Sequence, residues 1–269
     1  MPRLRAYGLE YHDVLAGEGA ESGFLGAGPR RYKITWPQFR EHLDRIGEVV
    51  PVPPSLMGPA GGNGAASSWS LTFDDGGTSA LEVGEELLRR EWRAYFFVTT
   101  NLVGTAGFMD ADAIRALDAM GHVIGSHSVT HPSRMAALPP QELLYEWQAS
   151  VDALSELVGK EIRTGSVPGG LYGAHVATAA VGAGIETLFT SEPVRTPHKV
   201  AGCHVIGRYA IRETTSARDA AAAAAGDPSV WLRQYAGWNL RKPAKAIGGR
   251  HYDRVRGTLL AARGRRAAR

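Results

Sequence analysis

The sequence contains a single cysteine, Cys203, among its 269 residues. One cysteine excludes an intramolecular disulfide and a cysteine-rich zinc cluster. No apolar stretch approaches the length of a membrane span, and the first residues lead into mixed polar sequence without the apolar segment of a signal peptide. We therefore expect a cytoplasmic protein.

Extreme composition is also absent. Hydrophobic residues make up 44% of the chain and charged residues 21%, close to ordinary globular usage, which excludes wholesale disorder. A domain of this length buries roughly three quarters of its unfolded surface. It therefore needs no disulfide or metal merely to fold.

Charge is distributed unevenly along the chain. Residues 240–269 contain ten basic residues and one acidic residue, a net charge of +9, so the total of +3 leaves −6 on residues 1–239. This contrast predicts one domain over 1–239 and a basic C-terminal tail over 240–269. Such a tail can dock on an anionic membrane surface or an acidic polymer, or simply be solvated. No nucleic-acid-binding motif accompanies the charge, so we predict no nucleic-acid partner.

Strand and helix patterns alternate along most of the chain. Alternation of this kind predicts parallel βαβ units, in an open sheet or a barrel, with catalytic residues at the C-terminal ends of the strands. Glycine- and proline-rich residues 17–28 and 51–68 predict irregular connections. The predicted strands are 4–14, 69–73, 94–99, 122–126, 163–167, 187–190 and 204–211. One helix is predicted to begin at Thr35, and four others are predicted over 79–92, 110–120, 139–158 and 175–183.

Carboxylates and imidazoles recur where these strands end, an arrangement more typical of a functional site than of packing. The strand-end residues are His12-Asp13, Asp74-Asp75, Thr99-Thr100, His127, Pro168-Gly169-Gly170, Ser191-Glu192 and Gly207-Arg208.

Two adjacent carboxylates, Asp74 and Asp75, follow the apolar strand 69–73. Neither can be buried without partners, because desolvating an unpaired carboxylate costs several kcal/mol. Both reach one site only if the chain leaves the strand there, and Gly76-Gly77 provides that freedom. The alternative is a helix N-cap beside a solvated neighbour.

Two histidines, His127 and His131, lie four residues apart. This spacing places both on one face of a helical turn and is used to hold a metal ion. With a strand-end aspartate they would supply three ligands and leave positions open for water, as in catalytic sites.

Together the two motifs resemble the polysaccharide deacetylases of carbohydrate esterase family 4, the NodB homology domain. Thr-Phe-Asp-Asp-Gly ends one strand, and His-Ser-x-x-His-Pro follows about fifty residues later, within a matching region of about 69–212. The resemblance implies a distorted, incomplete (β/α) barrel, a divalent metal (usually zinc) and removal of an acetyl group from an N-acetylated sugar. It also implies that Asp74 is the base and that Asp75, His127 and His131 are the metal ligands.

Two further motifs of the family are altered here. In the third, an Arg-x-Pro-x-Gly followed by an aromatic, Pro168 and Gly170 match, but Ser166 replaces the arginine and Leu171 the aromatic. The backbone N–H of Leu171 can still serve as an oxyanion donor, and Pro168, Gly170 and Tyr172 are candidates to contact substrate. The alternative is an ordinary Pro-Gly-Gly turn.

The last motif, a Leu-x-His that carries the general acid, is not found, so the sequence does not identify the proton donor. Arg208 lies on the final predicted strand. It either pairs with Asp74 in place of the missing arginine or is an ordinary arginine at the rim of the core.

These observations favour a metal-dependent hydrolase of carbohydrate metabolism that deacetylates a polysaccharide or its lipid-linked or nucleotide-linked precursor, with the basic tail at a membrane surface. The altered motifs leave two alternatives open. One is a hydrolase of another C–N bond or of an O-acetyl ester. The other is a carbohydrate-binding or regulatory protein that keeps the fold without turnover.

Overall fold

A computed structural model describes residues 5–17, 21–56 and 67–240 of the chain. Seven parallel strands form a closed barrel. They are β1 (Arg5–Tyr11), β4 (Ser67–Phe73), β5 (Ala94–Val98), β6 (Val123–Ser126), β7 (Thr164–Ser166), β8 (Thr187–Thr190) and β10 (Cys203–Ala210), and the short strands outside the barrel are β2 (Val14–Leu15), β3 (Ile34–Thr35) and β9 (His198–Val200). The strand order is β1-β4-β5-β6-β7-β8-β10, and pairing of β1 with β10 closes the barrel.

Helices surround the barrel, which confirms the predicted incomplete (β/α) barrel, one strand short of the usual eight. They are α1 (Ala27–Arg30), α2 (Trp36–Val49), α3 (Ala80–Arg89), α4 (Ala111–Ala119), α5 (Pro140–Val158), α6 (Ala174–Gly182) and α7 (Ala217–Ala224), followed by helical residues 228–240.

Local sequence accounts for the first long helix. Thr35 caps α2 as predicted, its side chain accepting a hydrogen bond from the N–H of Gln38 at 3.4 Å. Phe39, Leu43 and Ile46 recur at helical spacing and are fully buried, so one stripe of α2 packs inward.

The barrel interior is layered, and the layers determine where polar chemistry can occur. The lowest layer is apolar and closes one end of the barrel. Above it the buried Arg208 crosses the interior, with its stem against Gly8, where an added Cβ would lie only 3.0 Å from Cγ of Arg208. The polar groups that Arg208 contacts lie at the C-terminal ends of the strands. The apolar layer consists of Ala6, Tyr95, Phe97, Phe189 and Ile206.

Two features differ from the sequence prediction. His198, which falls between the predicted strands 187–190 and 204–211, begins β9, which runs antiparallel to β10 with His198 opposite Val205. No helix was predicted after residue 212, where the structure has α7 and helical residues 228–240. Trp231, on the last helix, packs edge-on against Tyr7 of β1 at 5.0 Å between ring centroids.

The predicted boundary between the domain and the tail lies between residues 239 and 240. Both of these residues are helical, and residues 241–269 lie outside the described part of the chain. The division at 239 therefore stays a prediction. In the described ranges no helix has both the length and the apolar character needed to cross a bilayer.

Candidate active site

A cavity of about 430 Å³ opens at the C-terminal ends of the barrel strands. Eleven of the residues that line it carry carboxylate, imidazole, guanidinium or hydroxyl groups, from different strand ends and loops. They are Glu10, His12, Tyr32, Asp74, Asp75, His127, His131, Ser133, Arg134, Ser191 and Arg212, with Arg208 buried directly beneath.

The predicted ligands converge inside this cavity. Oδ1 of Asp75 lies 3.3 Å from Nε2 of His127 and 3.3 Å from Nε2 of His131. Asp75 and His127 are almost fully buried, whereas the His131 side chain keeps 21% of its surface exposed. One carboxylate and two imidazoles from two different loops thus face a common point.

The histidine pair does not lie on a helical turn, so that part of the prediction is wrong. Residues 127–131 form a loop after β6, in which Ser128 has a φ of +65° and His131 a φ of +56°. Asp75, in the loop after β4, also has a positive φ, +77°. Non-glycine residues rarely adopt this conformation, and such backbone strain is concentrated at functional sites. The loop, rather than a helix, turns both imidazoles toward Asp75.

Glu146 of α5, which sequence reasoning did not single out, holds this loop. Its carboxylate accepts hydrogen bonds from the N–H of Val129 and of Thr130, each at 2.9 Å, and from the Thr130 hydroxyl at 2.5 Å. Three bonds to one buried carboxylate stabilise the strained backbone that carries the histidines.

A hydrogen bond to the backbone of Ser166 orients the ring of His127. Its Nδ1 lies 2.9 Å from the carbonyl oxygen of Ser166, an acceptor, so Nδ1 carries the proton and Nε2 presents its lone pair to the cavity. Ser166 therefore contributes through its backbone at the position where the family motif has an arginine.

These three residues fit a divalent cation. Ligand atoms about 2.0–2.2 Å from a tetrahedral ion are separated by roughly 3.3 Å, the separation between Asp75 and each imidazole. Oδ1 of Asp75 is buried without a hydrogen-bond partner among the described residues, as expected of a metal ligand. Burial alone would raise the pKa of Asp75, but the facing imidazoles lower it well below its usual range, so the carboxylate is charged.

Asp74 has different partners. Arg208 donates two hydrogen bonds to its carboxylate, from Nη1 to Oδ1 at 2.6 Å and from Nη2 to Oδ2 at 2.8 Å. The Ser166 hydroxyl donates to Oδ2 at 3.0 Å and accepts from Nη2 of Arg208 at 2.8 Å. The arginine that the third motif lacks is thus replaced in space by one from β10.

The charge state of Asp74 follows from this pairing. Burial would raise its pKa, but the charge of Arg208, with a smaller contribution from His127, lowers it below the usual value. Arg208 is itself fully buried, also lies 3.5 Å from Glu10, and accordingly keeps its charge. The two adjacent aspartates are therefore both ionised, but only Asp75 faces the imidazoles closely.

The residues of the third motif divide into two groups. Gly170 and Leu171 line the cavity, but Pro168 is buried behind it, and Tyr172, whose pKa burial raises to about 12, is not among its lining residues. Gly170 has φ of +70°, and a Cβ there would approach Trp238 to 2.7 Å. Trp238, from the unpredicted last helix, forms one wall.

His12 occupies the cavity beside Asp74. Phe73 and Tyr11 are opposite each other in the parallel pairing of β1 with β4, which brings the next residues, His12 and Asp74, to the same level of the barrel. The His12 ring lies 4.9 Å from that of Tyr32, and its buried Nδ1 has no hydrogen-bond partner within the described part of the chain. Its strand-end position was the one sequence signal for it.

Comparison with known proteins agrees with this geometry. Residues 61–188 match the model of the family described as polysaccharide deacetylase. The deacetylase PplD of Streptococcus pyogenes, solved with acetate, aligns at a TM-score of 0.66 and 16% identity over 80% of this chain and 96% of that one. IcaB of Ammonifex degensii aligns at 0.63 and 20% identity, over 86% and 96%. At such identities these structures show the fold alone.

Two curated relatives align over shorter segments. An uncharacterized 30.6 kDa protein of Geobacillus stearothermophilus is 31% identical over 34% of this chain, and a gellan lyase of a Bacillus species is 32% identical over 38%. The aligned segments span only 33% and 4% of those proteins. The family match over residues 61–188, slightly less than half of the chain, and the shared barrel confirm the resemblance seen in the sequence to the polysaccharide deacetylases, NodB-like and of carbohydrate esterase family 4.

Proposed function

We propose that this domain is a metal-dependent hydrolase that removes the acetyl group from an N-acetylated sugar of a polysaccharide or its precursor. One observation carries the proposal. Of two adjacent, buried carboxylates, Asp74 is held by two hydrogen bonds from Arg208, while Asp75 is the one closest to His127 and His131 in the same cavity. This is the division of labour expected between a base and a metal ligand.

Asp75, His127 and His131 would hold the cation. Two imidazoles and one carboxylate suit zinc, and with only three protein ligands the coordination shell keeps room for water. A divalent cation bound there polarises the acetyl carbonyl and lowers the pKa of water.

Asp74 then acts as the general base. A carboxylate offers four acceptor positions, and Arg208 with Ser166 occupies three, which leaves one for the attacking water. Asp74 takes a proton from this water as the water oxygen bonds to the acetyl carbon. The backbone N–H of Leu171, at the cavity wall, donates to the oxygen that becomes negatively charged.

The departing nitrogen needs a proton, and we assign its donor to His12. The amine is a poor leaving group unless it is protonated as the C–N bond breaks. His12 lines the cavity and has a ring nitrogen within 4.8 Å of a carboxylate oxygen of Asp74. The products are acetate and the free amino sugar, and both side chains exchange protons with solvent to begin again.

The alternatives predict different products. Hydrolysis of another C–N bond releases ammonia or a different acid, and O-deacetylation releases acetate without a new amine. Loss of turnover on an intact fold was suggested by the missing arginine and histidine of the altered motifs. The contact of Arg208 with Asp74 and the position of His12 favour an active site over that alternative.

Assays of the zinc-loaded chain on N-acetylglucosamine oligosaccharides test the proposal. We expect equal amounts of acetate and free amine, loss of activity with a chelator and recovery on adding zinc. His12→Gln should lower amide hydrolysis about 10²-fold or more, yet spare an aryl acetate, whose phenolate leaves without a proton. Absence of both products with every divalent metal tried, over a panel of N- and O-acetylated sugars, would instead support a binding protein.

We also propose that the chain binds peripherally to an anionic membrane on its cytoplasmic side. The last helix exposes Leu232, Tyr235 and Leu240, with 66%, 45% and 82% of their surfaces accessible. At 100° per residue these three side chains fall within a sector of about 140° of the helix circumference. The ten basic residues that begin at Arg241 follow directly in the sequence, so apolar contact and charge would act together.

Flotation with phosphatidylcholine vesicles, with and without phosphatidylserine, tests this docking. We expect binding only to the anionic vesicles, and binding about 10²-fold weaker or more for the Leu232→Ser, Leu240→Ser variant, because two fully inserted leucines together contribute about 3–6 kcal/mol. Leu88→Ser, at an exposed position of α3, is the matched control. Equal binding to both vesicle types would contradict the proposal.

A further inference from the structure

Glu10 lines the cavity and carries an unused acceptor. The residue lies one position before the end of β1 and is 4% exposed. Its Oε1 accepts a hydrogen bond from the Ser191 hydroxyl at 2.9 Å, whereas Oε2 is buried and has no hydrogen-bond partner among the described residues. A buried carboxylate oxygen without a partner is costly unless a ligand satisfies it.

A second cation is not the ligand that this group requires. Glu10, His12 and Asp74 do bring ligand atoms within 4.8 Å of one another. However, Arg208 already donates to both oxygens of Asp74 and lies 3.5 Å from Oε1 of Glu10. The guanidinium therefore supplies the positive charge at this point, and a neutral hydrogen-bond donor fits Oε2 better.

A sugar hydroxyl is such a donor. The carboxylate of Glu10 approaches that of Asp74 within 4.8 Å, so a substrate whose acetamido group is held at Asp74 brings its nearest ring substituents to Glu10. Polar substituents on adjacent ring carbons are separated by about 3 Å, the scale of one hydrogen bond. A carboxylate can only accept, which matches an O–H donor.

We propose that Oε2 of Glu10 binds the hydroxyl on the ring carbon next to the one that bears the acetamido group. The inference rests on the proposed function and deepens it. It makes the domain selective for sugars that carry a free hydroxyl there, because a substrate without it leaves the buried carboxylate unpaired.

The experiment is a two-by-two comparison of enzyme and substrate. The wild-type chain and Glu10→Met are assayed, with zinc, on an N-acetylglucosamine oligosaccharide and on its analogue deoxygenated at that carbon. We expect the wild type to prefer the hydroxylated sugar by about 10²-fold in kcat/KM and Glu10→Met to show little preference. The variant should lose rate on the hydroxylated sugar through KM, so that its rates on the two sugars become similar.

Glu10→Gln is the second variant and preserves shape and an acceptor oxygen. It should keep part of the preference, since a hydrogen bond to a neutral acceptor is about half as strong as one to a charged group. Glu142→Met, on the exposed surface of α5, is the control for removing a carboxylate and should change neither rate.

The outcomes separate the inference from the function on which it rests. Equal losses on both sugars, carried by kcat, would show that Glu10 only positions Arg208 and would overturn the inference while leaving the deacetylase intact. No turnover of either sugar by the wild type, together with failure of the acetate assay, would reject the proposed function itself.

Discussion

Asp74→Asn should lower kcat for acetate release by about 10²–10⁴-fold while bound zinc stays stoichiometric. The amide has the shape of the carboxylate but cannot accept the proton of the attacking water, and loss of a general base has this magnitude. The metal is unaffected because Asp74 is held by Arg208 and Ser166, whereas the ligand cluster is centred on Asp75. Zinc content after dialysis and acetate release measure the two effects separately.

Asp75→Asn provides the contrast. It removes the charged oxygen that faces His127 and His131 at 3.3 Å, so zinc should be lost together with activity. Asp112→Asn, whose side chain is 91% exposed on α4, is the matched control and should change neither quantity. If both site variants retained zinc equally, the assigned roles of base and ligand would be wrong.

Arg208→Met should reduce the free energy of unfolding by about 3–5 kcal/mol and abolish activity. Removing the guanidinium leaves the buried charge of Asp74 without its partner, the most damaging way to break a buried ion pair. Arg208→Lys should recover little, because an ammonium group cannot make the paired hydrogen bonds to Oδ1 and Oδ2. Urea unfolding curves give the change in stability, provided that the slope m of the unfolding free energy against urea concentration is the same for both proteins.

A double variant separates this pair from general damage to the core. Arg208→Met combined with Asp74→Asn should be more stable than the sum of the single effects predicts, since position 74 then carries no unpaired charge. Arg163→Met is the matched control, because that arginine pairs with Glu161 and Glu186 at the surface and its loss should cost less than about 1 kcal/mol. Strict additivity of the Arg208 and Asp74 effects would contradict the assigned pairing.

Local sequence was sufficient for much of the fold. Alternating strand and helix patterns predicted the barrel strands within a few residues, because most of these strands bury apolar side chains and helices such as α2 carry a stripe of apolar residues, as Phe39, Leu43 and Ile46 illustrate. The helices after residue 212 were not predicted, and they are held to the barrel by contacts with distant residues, as Trp231 is by Tyr7.

The candidate site likewise divides into what local sequence predicts and what depends on distant contacts. Short sequence motifs contain Asp74, Asp75, His127 and His131, so these residues could be identified from the sequence alone. The helical turn assumed for the histidines was wrong, because the loop conformation depends on bonds to Glu146 from a distant helix. Spacing alone could not reveal that contact.

By itself, then, the amino-acid order determined which strands carry the two motifs and which side chains could hold a cation. Only the tertiary structure decided that Arg208, 134 residues beyond Asp74, replaces the arginine missing at Ser166, and that Glu10 and Trp238 complete the cavity. The physical reason is barrel closure. Pairing of the first strand with the last brings residues from opposite ends of the chain to one rim, and no local pattern encodes which of their side chains meet.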